Sequence, residues 1–500
     1  MKLGVLLSLS KIEAFFPLSD ETEIRSIISD SRKCGEGSLF VCISGSVFDG
    51  HNYARSAYDR GCRAFVAEKN LILPDDAAVV YTPNTRIALA KLSSTFFGNP
   101  SSKLKIIGIT GTKGKTSTAE FIHAILSKNG RSSAYIGSNG VEYGNIHKST
   151  PNTTPESYLL HQYMRDMVND GVKYLVMEVS SQAILQNRVH GINFDTCVYT
   201  NLSPDHISEH EHPSFDHYKN CKHSLFAEYG ANFAFYNADD EYADFMLDGF
   251  RGKKSGFSIH TPSELHALPD SIKLVRNADS FGTSFVCTIR KTNYEFVLNM
   301  PDEFSIYNAL GAIAVCHHYG IRYSDIADTI KDIKICGRFQ SLSLGGGVTA
   351  VIDYAHNCVS LASALLALRK YRPTRIICLF GSVGGRTQIR RKEMGRVASE
   401  LSDLCILTSD NPDNEPPEQI IDDIKSGFGE NACPCVSITD RRQAIEYAVK
   451  IAEPGDVILL AGKGHERYQL VGGRQEYFNE HEILTELSEN SDDLLTGYLL

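Results

Sequence analysis

Residues 105–129, KIIGITGTKGKTSTAEFIHAILSKN, constrain the fold more than any other stretch of this chain. A short apolar run enters a glycine-rich turn, and Lys115-Thr116 opens a segment whose Phe121, Ile122, Ile125 and Leu126 recur at helical spacing. The stretch therefore reads as strand, loop and helix, the context of a phosphate-binding loop. Glycines let backbone N–H groups approach phosphate oxygens, the helix N-terminus adds its positive dipole end, and Lys115 adds a point charge. Thr116 offers a hydroxyl to a magnesium ion. The strict spacing GxxxxGK[ST] is not met, because Ile109 stands where the first glycine belongs and Gly108 lies one residue further back. What remains is Gly111-Thr112-Lys113-Gly114-Lys115-Thr116-Ser117. A tight strand-to-helix turn with an exposed lysine is the bland alternative; the flanking strand and helix favour nucleotide binding.

The rest of the chain repeats this alternation, and the expected fold class is α/β with three domains. Residues 1–100 read as a small α/β domain, with strands at 38–45, 63–68 and 77–82 and a turn-rich linker at 98–102. Residues 101–335 form a central P-loop mononucleotide-binding domain, its strands IIGIT, SAYIG, YLVMEV and TCVYT alternating with helical patterns in the manner of a parallel sheet. Within it, 232–300 shows only several short β-like runs. Residues 336–500 carry four apolar strands, VTAVIDYA, TRIICLF, LCILTSD and DVILLAG, three of them running into Asp- or Gly-rich ends. That is the pattern of a Rossmann-like sheet, where ligands gather at the carboxyl ends of strands.

Composition narrows the partners. A net charge of −10 leaves no basic excess for a nucleic acid. Thirteen scattered cysteines, mostly inside apolar runs, suit reduced thiols in a cytoplasmic protein. The opening MKLGVLLSLSKIEAFF has too short an apolar run, then Lys11 and Glu13, and lacks the small-residue cleavage site of a secretion signal. No stretch has the length of a membrane span.

Glu178 ends the apolar run YLVMEV, where a carboxylate could hold Mg²⁺ beside a P-loop. His206, His210, His212, His217 and His223 crowd the following segment; with no HExxH or cysteine pattern they are expected to lie mostly at the surface.

Taken in order, GTKGKTS, NTTP (152–155), EVSS (178–181), QNRV (186–189), TNLSPDH (200–206) and YKNCKHSLF (218–226) resemble the Mur ligase family. DYAH (353–356), DNP (410–412) and GKGHE (462–466) narrow the resemblance to the UDP-N-acetylmuramoyl-tripeptide synthetase type. It implies an ATP-dependent amide ligase of peptidoglycan precursor synthesis. ATP phosphorylates the terminal carboxylate of UDP-N-acetylmuramoyl-L-alanyl-D-glutamate, and the amine of a diamino acid attacks the acyl phosphate. No side-chain nucleophile is needed, so positioning and charge stabilisation carry the catalysis. The resemblance further implies that Gly111 to Ser117 cradle the triphosphate, that Asn308 and Arg338 contact the base or ribose, and that two Mg²⁺ ions are held by Thr116, Glu178 and His206. It also implies that Lys222 reacts with CO₂ to give a metal-binding carbamate; an ordinary surface lysine is the alternative. Lys115, Glu178, His206 and Lys222 are thus the expected catalytic set. Asn152, Thr153, Thr154, Ser180, Gln186 and Arg188 would meet the dipeptide, and Ser29, Ser31 and Ser46–Phe48 the uridine end.

By the same resemblance Arg386, Asp410, Asn411, Pro412, Asp413, Gly462 and Glu466 would hold the incoming amino acid. Many diaminopimelate-adding members carry DNPR, where this chain has Asp413. A carboxylate there repels the second carboxylate of diaminopimelate and attracts an ammonium, so L-lysine or a close relative is expected over meso-diaminopimelate. The alternative is that Asp413 faces solvent and Arg390 or Arg391 reads the substrate. DYAHN in place of DYAHTP, and Gly385 and Thr387 in place of acidic residues, also depart from the commoner pattern. Other readings are a folylpolyglutamate synthase-like ligase and a non-catalytic ATP-binding regulator. A monomer is expected, without nucleic acid or membrane insertion.

Overall fold

Strand β5 (Lys105–Thr110) is exposed only at Lys105, which places it in the interior of a sheet covered on both faces. The computed structural model describes all residues except 13–21, 46–47, 206, 209–210, 278–279, 290, 386–387 and 497–500. His206, Ser46 and Arg386 thus lie outside the described residues, as do His210 and Thr387. By its contacts the chain forms two compact units, Met1–His266 with Tyr307–Ile326, and Ala267–Ile306 with Ala327–Leu500.

The first unit opens with helix α1 (Leu3–Leu9) and a four-stranded parallel sheet in the order β1 (Ser26–Ile28), β2 (Ser38–Val41), β3 (Ala64–Ala67) and β4 (Ala78–Tyr81). Leu39, Val41 and Val66 pack on α1 and on helix α3 (Thr85–Phe96), while Phe40, Phe65 and Ala67 face helix α2 (Ala54–Asp59). The two alternating apolar sets explain the continuous hydrophobic runs. Gly98 and Asn99 turn the chain with positive φ, and Pro100–Lys103 makes one 3-10 turn.

The nine-stranded sheet that follows uses β5, β6 (Ser133–Gly137), β7 (Gly140–Tyr143), β8 (Ile146–Lys148), β9 (Tyr174–Glu178), β10 (Phe194–Tyr199), β11 (Ala231–Asn237), β12 (Lys253–Ser258) and β13 (Leu265–His266). Their spatial order is β13-β12-β11-β10-β5-β9-β6-β7-β8, parallel except at the β6-β7-β8 edge. Helices α4 (Lys115–Lys128), α5 (Ser157–Asn169), α6 (Ser181–Leu185), α7 (Phe215–Ala227) and α8 (Ala243–Met246) connect them. From β5 the chain steps to one side through α4 and later returns to the other side at β10. The order reverses beside β5, and in open parallel sheets ligands gather at the strands' carboxyl ends beside such a reversal.

The division between units passes through helices α9 (Glu303–His318) and α10 (Tyr323–Ile330). In the second unit β14 (Lys273–Asn277), β15 (Ser280–Ile289) and β16 (Thr292–Leu298) form an antiparallel sheet, which accounts for part of the short β-like runs in 232–300. Its main sheet is ordered β17 (Gln340–Ser343), β18 (Thr349–Asp353), β22 (Val457–Ala461), β19 (Ile376–Phe380), β20 (Leu404–Leu407) and β21 (Cys435–Ser437). The four apolar runs are the four inner strands. The two edge strands escape hydrophobic patterning because QSLS and CVS are short and only half-buried. Helices α11 (Cys358–Arg369), α12 (Gln388–Leu401), α13 (Pro417–Lys425), α14 (Arg441–Ile451) and α15 (Glu480–Thr496) complete the unit, with a hairpin of β23 (Tyr468–Val471) and β24 (Arg474–Tyr477). The fold is α/β, as expected. All thirteen cysteines are free thiols, and among the described residues no helix is long and apolar enough to cross a membrane.

Arg441 ties the carboxyl edge of this sheet together. Its buried guanidinium donates to Glu480 Oε1 at 2.8 Å, to the Ser409 carbonyl at 3.1 Å and to the Ala461 carbonyl at 3.0 Å. Removing one partner of a buried pair leaves an uncompensated charge. Arg441→Met should lower unfolding free energy by about 3–5 kcal/mol in a urea titration, and adding Glu480→Leu should recover most of that loss. Equal losses in the single and double variants would overturn this account.

Candidate active site

The loop after β5 and the loop after β10 meet at the reversal of strand order. Thr112 N donates to the Asn201 carbonyl at 2.8 Å and Lys113 N to Asn201 Oδ1 at 3.0 Å. Thr200 Oγ1 and Asn201 Nδ2 both donate to the Lys113 carbonyl, at 2.7 and 3.0 Å. Only glycine fits the approach at 111: a Cβ there would lie 1.9 Å from Thr200 Oγ1 and 3.0 Å from the Asn201 carbonyl. Gly114 has φ +82°, and a Cβ on it would lie 2.1 Å from Asn308 Oδ1. Asn308 on α9 is thus brought against the loop, and its Oδ1 also accepts from Thr118 Oγ1 at 3.4 Å.

Two ammonium groups converge on one carbonyl. Lys115 Nζ donates to the carbonyls of Gly111 and Thr112, each at 2.9 Å, and Lys222 Nζ reaches the Gly111 carbonyl at 2.7 Å. Lys222 projects from α7 and is 1% exposed, so the surface-lysine alternative fails. Burial, reinforced by the nearby charge of Lys115, holds its ammonium well below the usual lysine pKa. Tyr218, one turn earlier on α7, places its ring 4.7 Å from Lys222 Nζ and donates its hydroxyl to Thr112 Oγ1 at 3.2 Å.

Glu178 ends β9, fully buried. Its Oε2 accepts from Thr116 Oγ1 at 3.0 Å, and its Oε1 accepts from Tyr135 OH and Ser138 N, each at 2.8 Å. The carboxylate and the hydroxyl expected to serve one cation are therefore adjacent. Its backbone carbonyl accepts from Thr154 Oγ1 at 2.8 Å, which joins a second polar patch to the loop. There Arg188 Nη1 donates to the Thr154 carbonyl at 2.9 Å and Nη2 to Gln186 Oε1 at 2.7 Å. Arg188 also pairs with Glu156 at 2.8 Å. Ser180 N donates to Thr154 Oγ1 at 3.2 Å, while Ser180 Oγ caps α6 and Thr153 Oγ1 lies 3.1 Å from Ser138 Oγ. Asn152 is exposed at the rim. Of the histidines, His212 is buried, with Nε2 2.9 Å from Ser181 Oγ and Nδ1 2.9 Å from His217 Nδ1, so it departs from the surface expectation.

In the four-stranded sheet, Ser29 follows β1, and beyond β2 Gly45 N donates to the Phe48 carbonyl at 2.9 Å. Both segments leave the carboxyl edge of neighbouring parallel strands. Ser31 is buried and Phe48 is exposed.

The second unit gathers a separate group at the carboxyl ends of β18, β20 and β22. Gly462 has φ +113°, and a Cβ on it would lie 2.8 Å from Asp410 Oδ2. Asn411 Nδ2 donates to Glu466 Oε2 at 2.9 Å. Lys463, fully buried, reaches Asp410 Oδ1 at 3.4 Å, Asn411 Oδ1 at 3.0 Å and Glu466 Oε2 at 3.3 Å. Arg338 stacks over Tyr354, 4.9 Å from the ring centre. The Asn411 carbonyl, ahead of Pro412, accepts from Gly384 N at 2.9 Å. Asp413 is not turned freely to solvent: its Oδ1 accepts from Gly473 N of the β23–β24 hairpin at 3.0 Å. Arg391 is committed to Glu415 at 2.6 Å and Asp423 at 2.8 Å, with no exposed surface, which removes it as a substrate reader. Sequence reasoning missed Asn201, Tyr135, Ser138, Tyr218 and Lys463 as site residues. Asn201, Tyr218 and Lys463 sit inside quoted motifs, whereas Tyr135 and Ser138 carry no local signal.

The Mur ligase family catalytic domain matches residues 23–96, the Mur ligase middle domain residues 109–316, and the Mur ligase glutamate ligase domain residues 337–464. A protein of Caldanaerobacter subterraneus subsp. tengcongensis named UDP-N-acetylmuramoyl-L-alanyl-D-glutamate--2,6-diaminopimelate ligase is 38% identical over 470 residues, covering 94% of this chain and 96% of the relative. A protein of the same name from Clostridium perfringens is 37% identical over 478 residues, again covering 94% and 96%. A solved structure of a ligase so named superposes with a TM-score of 0.69 at 24% identity over 98% of this chain and 100% of the other, an agreement of fold. These names run against the expectation of L-lysine. The chain belongs to the Mur ligase family of ATP-dependent, peptide-forming ligases.

Proposed function

We propose that this chain joins a diamino acid to the D-glutamyl carboxylate of UDP-N-acetylmuramoyl-L-alanyl-D-glutamate, with meso-diaminopimelate as the added residue. The observation that carries the reading is the junction at Glu178. Its side chain meets Thr116 of the phosphate loop, and its backbone carbonyl meets Thr154 of the patch that holds Arg188. A carboxylate bound by that patch would lie beside a nucleotide bound by the loop. The relatives' names support diaminopimelate. Asp413 in place of the arginine favours L-lysine as a second reading, although the Gly473 N–H already engages its carboxylate.

The residues present fit ATP and magnesium. Gly111 and Gly114 let the loop pack against Thr200-Asn201 and Asn308 where no Cβ fits, Lys115 supplies charge, and Thr116 and Glu178 supply hard oxygen donors. Thr116 and Glu178, with His206 and a carbamate on Lys222, would hold the cations. ATP supplies the phosphoryl group that turns the substrate carboxylate into an acyl phosphate, and magnesium neutralises the charge gathered between them. The chain's own contribution is positional. Arg188 orients the substrate carboxylate through its fork of donors. Lys115 and the amino end of α4 offset charge developing on phosphate oxygens. Desolvation favours the neutral amine of Lys222, the form that attacks CO₂, so burial prepares the modification. Asn308 and Arg338 would meet the base or ribose, and Ser29, Ser31 and Ser46–Phe48 the uridine end.

Gly111→Ala should weaken ATP binding by about tenfold or more in titration calorimetry, since the new methyl must push the two loops apart; unchanged affinity would remove the loop from the site. Lys222→Ala should lower ligation by about a hundredfold or more, with partial rescue by short-chain carboxylic acids. Full activity of the unrescued variant would reject the carbamate. Competing meso-diaminopimelate against L-lysine in an ATP-dependent ligation assay should return the diaminopimelate product; preference for lysine would restore the Asp413 argument.

A further inference from the structure

The assigned residues of the second unit leave one fully buried charge, Lys463, without a role. Lys463 stands between Asp410 and Glu466, two of the three carboxylates expected to meet the amino acid, and its side chain has no exposed surface. The three acceptors around Nζ, from Asp410, Asn411 and Glu466, match the three protons of an ammonium. The arrangement is closed on itself: Asn411 Oδ1 takes both Lys463 and the Leu470 N–H, at 3.0 Å each, which orients its amide so that Nδ2 points at Glu466.

We propose that Lys463 is the internal counter-ion that keeps Glu466 ionised, so that the site presents one net negative charge to the ammonium group of the incoming amino acid. The inference rests on reading Asp410–Asp413 and Gly462–Glu466 as the amino-acid site. Around Nζ, Asp410 and Glu466 against one ammonium leave a single unbalanced charge, the right count for one substrate ammonium, while Asp413 is engaged apart from them by the Gly473 N–H. Without Lys463, two buried carboxylates would face each other and one would take up a proton. Burial holds the Glu466 carboxyl above the usual carboxylate range; Lys463 is the strongest influence against that rise, Asp410 adds to it and the Asn411 hydrogen bond opposes it. Tyr354 is the other titratable neighbour facing Glu466, with Arg338 and Tyr468 beside it. His356, His465 and Arg390 lie further along the same cluster.

A purely structural tie between the loops after β20 and β22 would make the same contacts, so the test must read charge. In steady-state ligation with ATP and the UDP-dipeptide saturating, the acid limb of kcat/KM for the diamino acid is followed in wild type and Lys463→Met. Removing the cation raises the pKa of Glu466, so the anion is lost at a higher pH. The acid limb should move upward by about one pH unit or more. KM for ATP should stay within about twofold. Lys463→Arg retains the charge and should keep the limb at its wild-type position. If Lys463→Met does not fold, Lys463→Gln is measured in its place and judged by the same limb. A limb that stays put in the neutral variant, with kcat/KM lowered uniformly across pH, would make Lys463 a structural tie and overturn the inference. Wild type without phosphate release on any diamino acid would instead overturn the proposed function, and the inference would fall with it.

Discussion

The contact on which the first unit depends is the approach of the Gly111–Gly114 turn to Thr200-Asn201. A side chain at 111 would collide with Thr200 at 1.9 Å. Its absence lets backbone groups of two loops pair directly and brings the Gly111 carbonyl within reach of both Lys115 and Lys222. The charge of Lys115 and the burial of Lys222 together disfavour the ammonium form of Lys222, so its protonation is set by this packing.

Glu178 brings a buried carboxylate to the same loop from the next strand, held by Tyr135, Ser138 and Thr116. Because β9 lies directly beside β5 in the sheet, the register Ile109↔Glu178 sets where the carboxylate meets the loop. The second unit follows a related logic with the signs reversed: Asp410 and Glu466 are the excess charge, and Lys463 the internal cation. In both places strand ends supply the positions and buried counter-charges limit which ions suit them.

The parts of the site legible from sequence were those built by neighbours in the chain. GTKGKTS announces itself because strand, turn and helix are contiguous, and Glu178 because a polar residue closes an apolar run. Lys222 could be picked out only from its motif; its burial comes from packing. Arg391 reads locally as one of two arginines on a polar helix, yet Glu415 and Asp423 reach it from 24 and 32 residues away. Asp413 shows the same limit. Motif position and charge made it a substrate reader, whereas the amide that engages it belongs to a hairpin 60 residues later.

Hydrophobic periodicity and glycine placement were enough to define an α/β chain, its phosphate loop and the inner strands of its large sheets, since each depends on residues a few positions apart. The partner of every charge was decided only when the chain folded. Strand order brings β9 and β10 to either side of β5, and that order depends on which apolar faces cover which strands across a hundred residues. The environment of Lys222, Lys463 and Asp413 follows from this long-range packing, because burial and counter-charge are properties of the assembled neighbourhood and not of the residue that carries the charge.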